Sequence, residues 1–269
     1  MKKTFFFCFC SLVILSCRNE NTKTDTPTEP LNETVVEADL SRYPQPFQEV
    51  LLAHGGLDQW KKMHSLTYSM PSTSGDEVQT VDLTSRKVLV ETDKYKMGSD
   101  GNELWIQQDS AYFNPERVAF YHNLMFYFYT MPFVLADDGI NYLETEPLEL
   151  DGKLYPGMKV SYEKNIGASP EDEYLLYMDP ETNQMAWLAY TVTYGKNEKS
   201  DRFSYIKYDK WQEVNGLLLP AEMVWYRVEN GKPTTPAGPP RIFAKVDIDE
   251  APMDAALYSR PAAAMLVKE

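Results

Sequence analysis

The sequence predicts a mainly β (α+β) domain. It is a single curved antiparallel sheet forming an unclosed half-barrel, with an N-terminal helix and an apolar helical segment at about 115–136 covering the concave face. Three observations carry that reading. From residue 65 onward, short runs rich in Val, Thr, Tyr, Leu and Trp recur between Gly, Pro, Asn and Asp, a period-two pattern. Tight turn pairs such as Asp100-Gly101, Asp151-Gly152 and Asn215-Gly216 join several of these runs, so consecutive strands are antiparallel neighbours. One stretch, 118–135, breaks the pattern: fourteen of its eighteen residues are apolar or aromatic.

The chain begins outside that domain. Met1-Lys2-Lys3 followed by the mostly apolar Thr4 to Leu15 has the form of a secretory signal, too short to span a bilayer. Removing residues 1–16 takes two lysines with it and moves the net charge from −14 to −16. So acidic a chain lacks the basic footprint of a nucleic-acid binder, and it is not drawn to anionic lipid by charge. Of the three cysteines, Cys8 and Cys10 leave with the signal and Cys17 becomes the first residue. The exported chain then has no internal disulfide and no thiolate pair for a metal. Ile14-Leu15-Ser16-Cys17 resembles a bacterial lipobox, which implies that Cys17 is lipidated and the protein is held at the cell envelope, in the outer membrane, through its N-terminal lipid. Residues 17–40, rich in Thr, Asn, Glu and Pro, read as a flexible tether with almost nothing to bury. Residues 41–269 read as one domain.

Within the domain, Pro46 suits a first helical turn, Phe47, Val50, Leu51 and His54 make one stripe, and Gly55-Gly56 ends the helix. A shorter turn at 57–63 buries Leu57 and Trp60. Strands follow at 65–70, 77–83, 86–93, 95–98, 103–108, 142–150, 153–163, 172–179, 184–194, 201–213, 217–229 and 241–249. The Pro- and Gly-rich stretch 229–240 reads as a long hairpin loop. Asn114-Pro115-Glu116 reads as an N-cap, a first-turn proline and an acidic first turn, opening the apolar segment. Both sides of that segment are apolar, as for a helix buried on most sides. His122, Asn123, Thr130 and Pro132 do not suit a membrane span.

Catalytic signatures are missing. There is no Gly-x-Ser-x-Gly elbow, no phosphate-binding Gly-x-x-x-x-Gly-Lys and no dinucleotide fingerprint. His54, His64 and His122 lack zinc-ligand spacing, and Asp247, Asp249 and Asp254 lack the glycine of a calcium loop. A non-enzymatic protein without metal or cofactor is the resulting expectation. The 40 acidic residues offer too many carboxylate pairs to single one out. The strands at 184–194 and 217–229 are apolar on both faces, which implies either two covered faces or one covered face and an apolar cavity.

The signal, tether, short helix and interrupted meander together resemble the LolA/LolB lipoprotein-carrier superfamily. The motifs that carry the resemblance are Asp100-Gly101-Asn102-Glu103-Leu104-Trp105, Met178-Asp179-Pro180-Glu181-Thr182-Asn183 and Val214-Asn215-Gly216-Leu217-Leu218-Leu219-Pro220. Ala53-His54-Gly55-Gly56 with Trp60 further resembles uncharacterised lipid-anchored lipoproteins of Bacteroidota. The resemblance implies non-catalytic binding of an acyl chain, lipid or lipoprotein in a half-barrel cavity. The expected lid residues are Phe120, Leu124, Phe128 and Phe133, and the expected wall residues are Trp105, Trp187 and Trp225. Two other readings stand beside it. One is a surface glycan-associated lipoprotein, binder or hydrolase, drawing on 18 tyrosines and five tryptophans; the other is a structural envelope lipoprotein with a filled core. Where the aromatics point separates them.

Overall fold

The computed structural model describes residues 38–163, 171–195 and 198–267. The chain divides into Met1–Val36 and Glu37–Glu269; the signal, Cys17 and most of the tether lie outside the described residues. After a 3-10 turn at Leu40–Arg42 come α1 (Gln45–Ala53) and α2 (Leu57–Lys62). The first meander is β1 (Ser65–Met70), β2 (Glu77–Asp82), β3 (Val88–Glu91), β4 (Tyr95–Ser99) and β5 (Leu104–Gln108). The second is β6 (Ile140–Leu150), β7 (Lys153–Tyr162), β8 (Glu173–Met178), β9 (Met185–Tyr190), β10 (Ser204–Val214), β11 (Leu217–Glu229) and β12 (Lys232–Pro236). The chain then adds β13 (Arg241–Ile242), β14 (Ala244–Asp249) and β15 (Met265–Val267).

These strands make a curled antiparallel half-barrel, bonded as a seven-stranded ladder β14-β1-β2-β3-β4-β5-β15 and an eight-stranded sheet in which β13 pairs with β11 beside the path β12-β11-β10-β9-β8-β7-β6. The stretch 241–249 joins them. Its first residues pair with β11, and after Phe243 it crosses to pair with β1. Side chains close the same seam, where Gln212 Nε2 donates to the Phe243 carbonyl at 3.3 Å and Asn215 Nδ2 to the Ile248 carbonyl at 3.2 Å. One large apolar cluster fills the concave side, drawing on both ladders, on α1 and α2, and on residues 118–136. Two smaller clusters lie outside it, one around Trp187 and one around Trp105.

Two expectations are corrected. The stretch 229–240 is not a long loop: Asn230 and Gly231 both take positive φ (52° and 76°) and turn the chain tightly into β12, which pairs with β11. Asn-Gly is the strongest hairpin signal, and the two prolines of β12 are tolerated because it is an edge strand. The apolar segment is also not one helix. It runs as a 3-10 turn at Pro115–Arg117, α3 (Val118–Tyr121), α4 (Leu124–Thr130) and a 3-10 turn at Phe133–Ala136. Asn114 caps its start as expected, its side chain accepting from the Glu116 amide at 3.0 Å.

Candidate functional site

The segment 118–136 is mostly apolar and lies against the concave faces of both ladders. Phe133 is fully buried and stacks on Trp60 of α2, centroids 4.9 Å apart and planes 6° apart. Phe128 packs on Tyr190 at 4.8 Å and on Trp225 at 6.0 Å. Tyr129 stacks on Phe243 at 4.3 Å and leans on Tyr68 at 4.5 Å. Broken helices leave main-chain carbonyls to be satisfied, and hydroxyls from outside the segment reach in to do it. Tyr208 donates to the Phe128 carbonyl at 2.9 Å, Tyr142 to Leu135 at 2.5 Å and Tyr43 to Ala136 at 2.8 Å. Arg86 closes the end of the segment on Asp137 at 2.7 Å. Burial raises the phenols of Tyr208 and Tyr142, so both remain donors at ordinary pH.

Of the residues singled out in the sequence, Leu124, Phe128, Phe133 and Trp225 meet in the central cluster. Phe120 does not join it and sits half-buried against Tyr194 at 5.1 Å. Trp105 and Trp187 do not line the concave side. Leu104 and Ile106 point into the central cluster, so strand alternation sends Trp105 to the other face. There its indole N–H donates to the Tyr258 carbonyl at 3.1 Å. Trp187 likewise lies opposite Leu188, packed edge-on against Tyr226 at 4.8 Å. Both faces of these strands are apolar, so hydrophobicity alone could not tell which parity was concave. Trp60, Tyr208 and Phe243 were not assigned to the site. Tyr208 shares strand parity with Ile206, a signal that was present but hidden among the tyrosines.

The Ala53-His54-Gly55-Gly56 motif is the corner where α1 meets the sheet. Gly56 N–H bonds back to Leu51 at 2.9 Å and Gly55 N–H to Leu52 at 3.1 Å, a left-handed helix end. His54 is fully buried; its Nδ1 lies 3.1 Å from the Leu218 carbonyl, and its Nε2 accepts from the Met185 amide at 3.0 Å. A carbonyl only accepts and an amide only donates, so the ring is neutral with its proton on Nδ1. Burial pushes its pKa down to about 4, against the Leu218 hydrogen bond. With both nitrogens committed to backbone, His54 is not available as a base or a ligand. His64 is half-buried beside Thr84, and His122 reaches the Val118 carbonyl at the end of α3. Among the described residues no three His, Cys, Asp or Glu side chains gather in metal-ligand fashion, and no helix is long and apolar enough to cross a membrane. A crevice of about 360 Å³ opens elsewhere, between Val192, Arg202, Phe203 and Val228.

The family assignment covers the architecture through β11. The DUF6503 family, a family of unknown function, matches residues 2–230. This chain belongs to the DUF6503 family. Among solved structures, the DUF6503 chain is similar to a DUF1329 family protein from Desulfovibrio piger, at 11% identity and a TM-score of 0.48, over 80% of this chain and 95% of that one. A LolA superfamily protein from Nitrosomonas europaea matches at 7% identity and a TM-score of 0.46, over 79% and 97%. A putative outer membrane lipoprotein-sorting protein domain from Vibrio parahaemolyticus matches at 5% identity and a TM-score of 0.38, over 71% and 89%. No curated protein matches the chain in sequence. The family match stops before β12, so the strands that finish both ladders lie beyond it.

Proposed function

We propose that this DUF6503 protein is a non-catalytic, lipid-anchored envelope protein that binds a hydrophobic ligand, an acyl chain or a lipid, on the concave side of its half-barrel. The observation that carries the reading is the occupancy of that side by 118–136. This piece joins neither β ladder, is apolar over most of its length and is held by ring stacking and a few hydroxyls. The volume it fills is the volume a ligand would take. Phe120, Leu124, Phe128 and Phe133 are then the residues that exchange contacts with ligand, and Trp225 belongs to the wall. The glycan reading needs reachable aromatics, yet Trp187, Tyr177 and Tyr205 are only 5%, 5% and 4% exposed. Lipidation of Cys17 and the 17–40 tether supply the anchor in this proposal, in the outer membrane.

The test is a titration of the purified protein with a fluorescent fatty-acyl probe beside a fractionation of cells. Saturable binding that changes clearly in Phe128→Ala, and loss of membrane fractionation in Cys17→Ser, are the expected results. A parent protein that binds no probe would return 118–136 to plain core. A Cys17→Ser variant that still pellets with membranes in high salt would remove the anchor.

A further inference from the structure

Three aromatic rings and one carboxylate converge where the segment 118–136 begins. Tyr95 and Phe113 lie 5.2 Å apart at 47°, and Phe113 and Tyr121 5.3 Å apart at 49°. Both phenols end on Glu77: Tyr121 donates to its Oε2 at 2.9 Å and Tyr95 to the same oxygen at 3.4 Å. Gln79 supplies a third donor, Nε2 to Glu77 Oε1 at 2.7 Å, and is itself fixed by the Tyr68 hydroxyl at 2.6 Å. The position of Phe113 is fixed too, because the side-chain amide of Gln108 pairs with both its backbone N–H and its carbonyl, each at 2.9 Å. All three rings and Glu77 are half-buried, walled in but reachable.

Glu77 meets hydrogen-bond donors rather than a close cation. Among the described residues it has no ion-pair partner within 4 Å. Arg241, the cation that acts on neighbouring Tyr121, is exposed. A half-buried carboxylate beside three half-buried rings makes this rim electronegative, and aromatic rings favour weakly hydrated cations. The hydrogen bonds narrow the choice. Three donors already fill most of the acceptor capacity of the carboxylate, so a cation with N–H donors finds few lone pairs while the full charge remains. A cation that donates nothing suits the site best.

We infer that Glu77, Tyr95, Phe113 and Tyr121 form a receiving site for a quaternary ammonium group, and that the hydrophobic ligand of the half-barrel carries one. The inference rests on the proposed function for its apolar part. Tyr95, Phe113 and Tyr121 pack against the same central cluster as Leu124, so a headgroup held at Glu77 would lead its chain directly onto the concave side.

The experiment compares decyltrimethylammonium, decylammonium and decanoate, each below its micelle concentration, together with choline alone, on the full protein and on Glu77→Gln and Phe113→Leu variants. Decyltrimethylammonium should bind about tenfold tighter than either of the other two. Glu77→Gln should erase that preference without weakening decanoate, and Phe113→Leu should reduce it with the apolar volume kept. Equal binding of the two ammonium compounds, or a preference that survives Glu77→Gln, overturns the inference even if decanoate binds and the hydrophobic reading stands. Choline binding that depends on Glu77, with no decyl compound gaining from its chain, supports the cation site and overturns the hydrophobic reading instead.

Discussion

The corner at the end of α1 and the segment 118–136 are both enclosed, but by opposite means. At the corner, backbone meets backbone: Leu218 N–H donates to the His54 carbonyl at 2.9 Å, and the two ring nitrogens of His54 meet main-chain groups of β11 and of Met185 at the start of β9. In the segment, the exposed main-chain groups are met by the tips of long side chains, and the rest of the hold is ring on ring. The first arrangement fixes an angle and leaves no room to adjust. The second can be re-covered by other apolar surface, which is what a site that exchanges its own side chains for ligand requires.

The sharpest way to break this comparison is Gly55→Ala. A Cβ there would lie 2.2 Å from the Gly216 carbonyl oxygen, and φ is +103°. Gly216 cannot withdraw, because it sits in the tight Asn215-Gly216 turn at φ 48° and 76°. A loss above about 4 kcal/mol is expected, enough to prevent folding of a marginal domain. Gly101→Ala, at φ +89° with nothing within 4 Å, should cost only about 1–3 kcal/mol. Equal losses in denaturant melts would mean that the close approach at the corner does not matter.

Next in size is a contrast within the segment. Phe133, fully buried on Trp60, should cost about 3–5 kcal/mol on truncation to alanine. Half-buried Phe120 should cost less than about 2 kcal/mol, because its surroundings can collapse or hydrate. Urea unfolding of the two variants measures the difference, and a Phe120→Ala loss as large as that of Phe133→Ala would make the whole segment ordinary core.

The smallest effect is the pH dependence of the corner. Folded His54 titrates near 4, whereas an unfolded histidine titrates near 6.5. Above about pH 6.5 both states are neutral and His54 adds no slope. Between about 6.5 and 4 only the unfolded chain takes the proton, so stability falls with pH, by about 3 kcal/mol in all. A His54→Gln variant should lack this part of the slope, and the His54 ring resonances of the folded parent should titrate near pH 4. A folded-state midpoint near 6.5 would remove this contribution.

Period-two patterning and turn chemistry made the fold legible, because hairpin turns such as Asp151-Gly152 set strand neighbours with little help from tertiary context. The helix end at Gly55-Gly56 was legible for the same local reason. Facing was not. Trp105 and Trp187 went to the outer side because a strand apolar on both faces carries no sign of which is concave. Nor could the sequence show that Glu77, Tyr95, Phe113 and Tyr121 meet, since that depends on which strands and loops the meander brings to one rim. Cys17 and the tether were read from local motifs, and they remain part of the proposal.

The last strands have a consequence in time. β14 closes one edge of the seven-stranded ladder and β15 the other, and Ser65 bonds across 186 residues to the Ala251 carbonyl. A chain made from its N-terminus therefore holds β1–β5 as a meander with two raw edges until nearly all of it has emerged. Such long-range closure is slow, and unpaired edges invite association with other chains. The interval between synthesis of β5 and arrival of residues 244–267 is when this protein most needs a chaperone, and truncation before residue 244 should leave an aggregating chain rather than a smaller folded one.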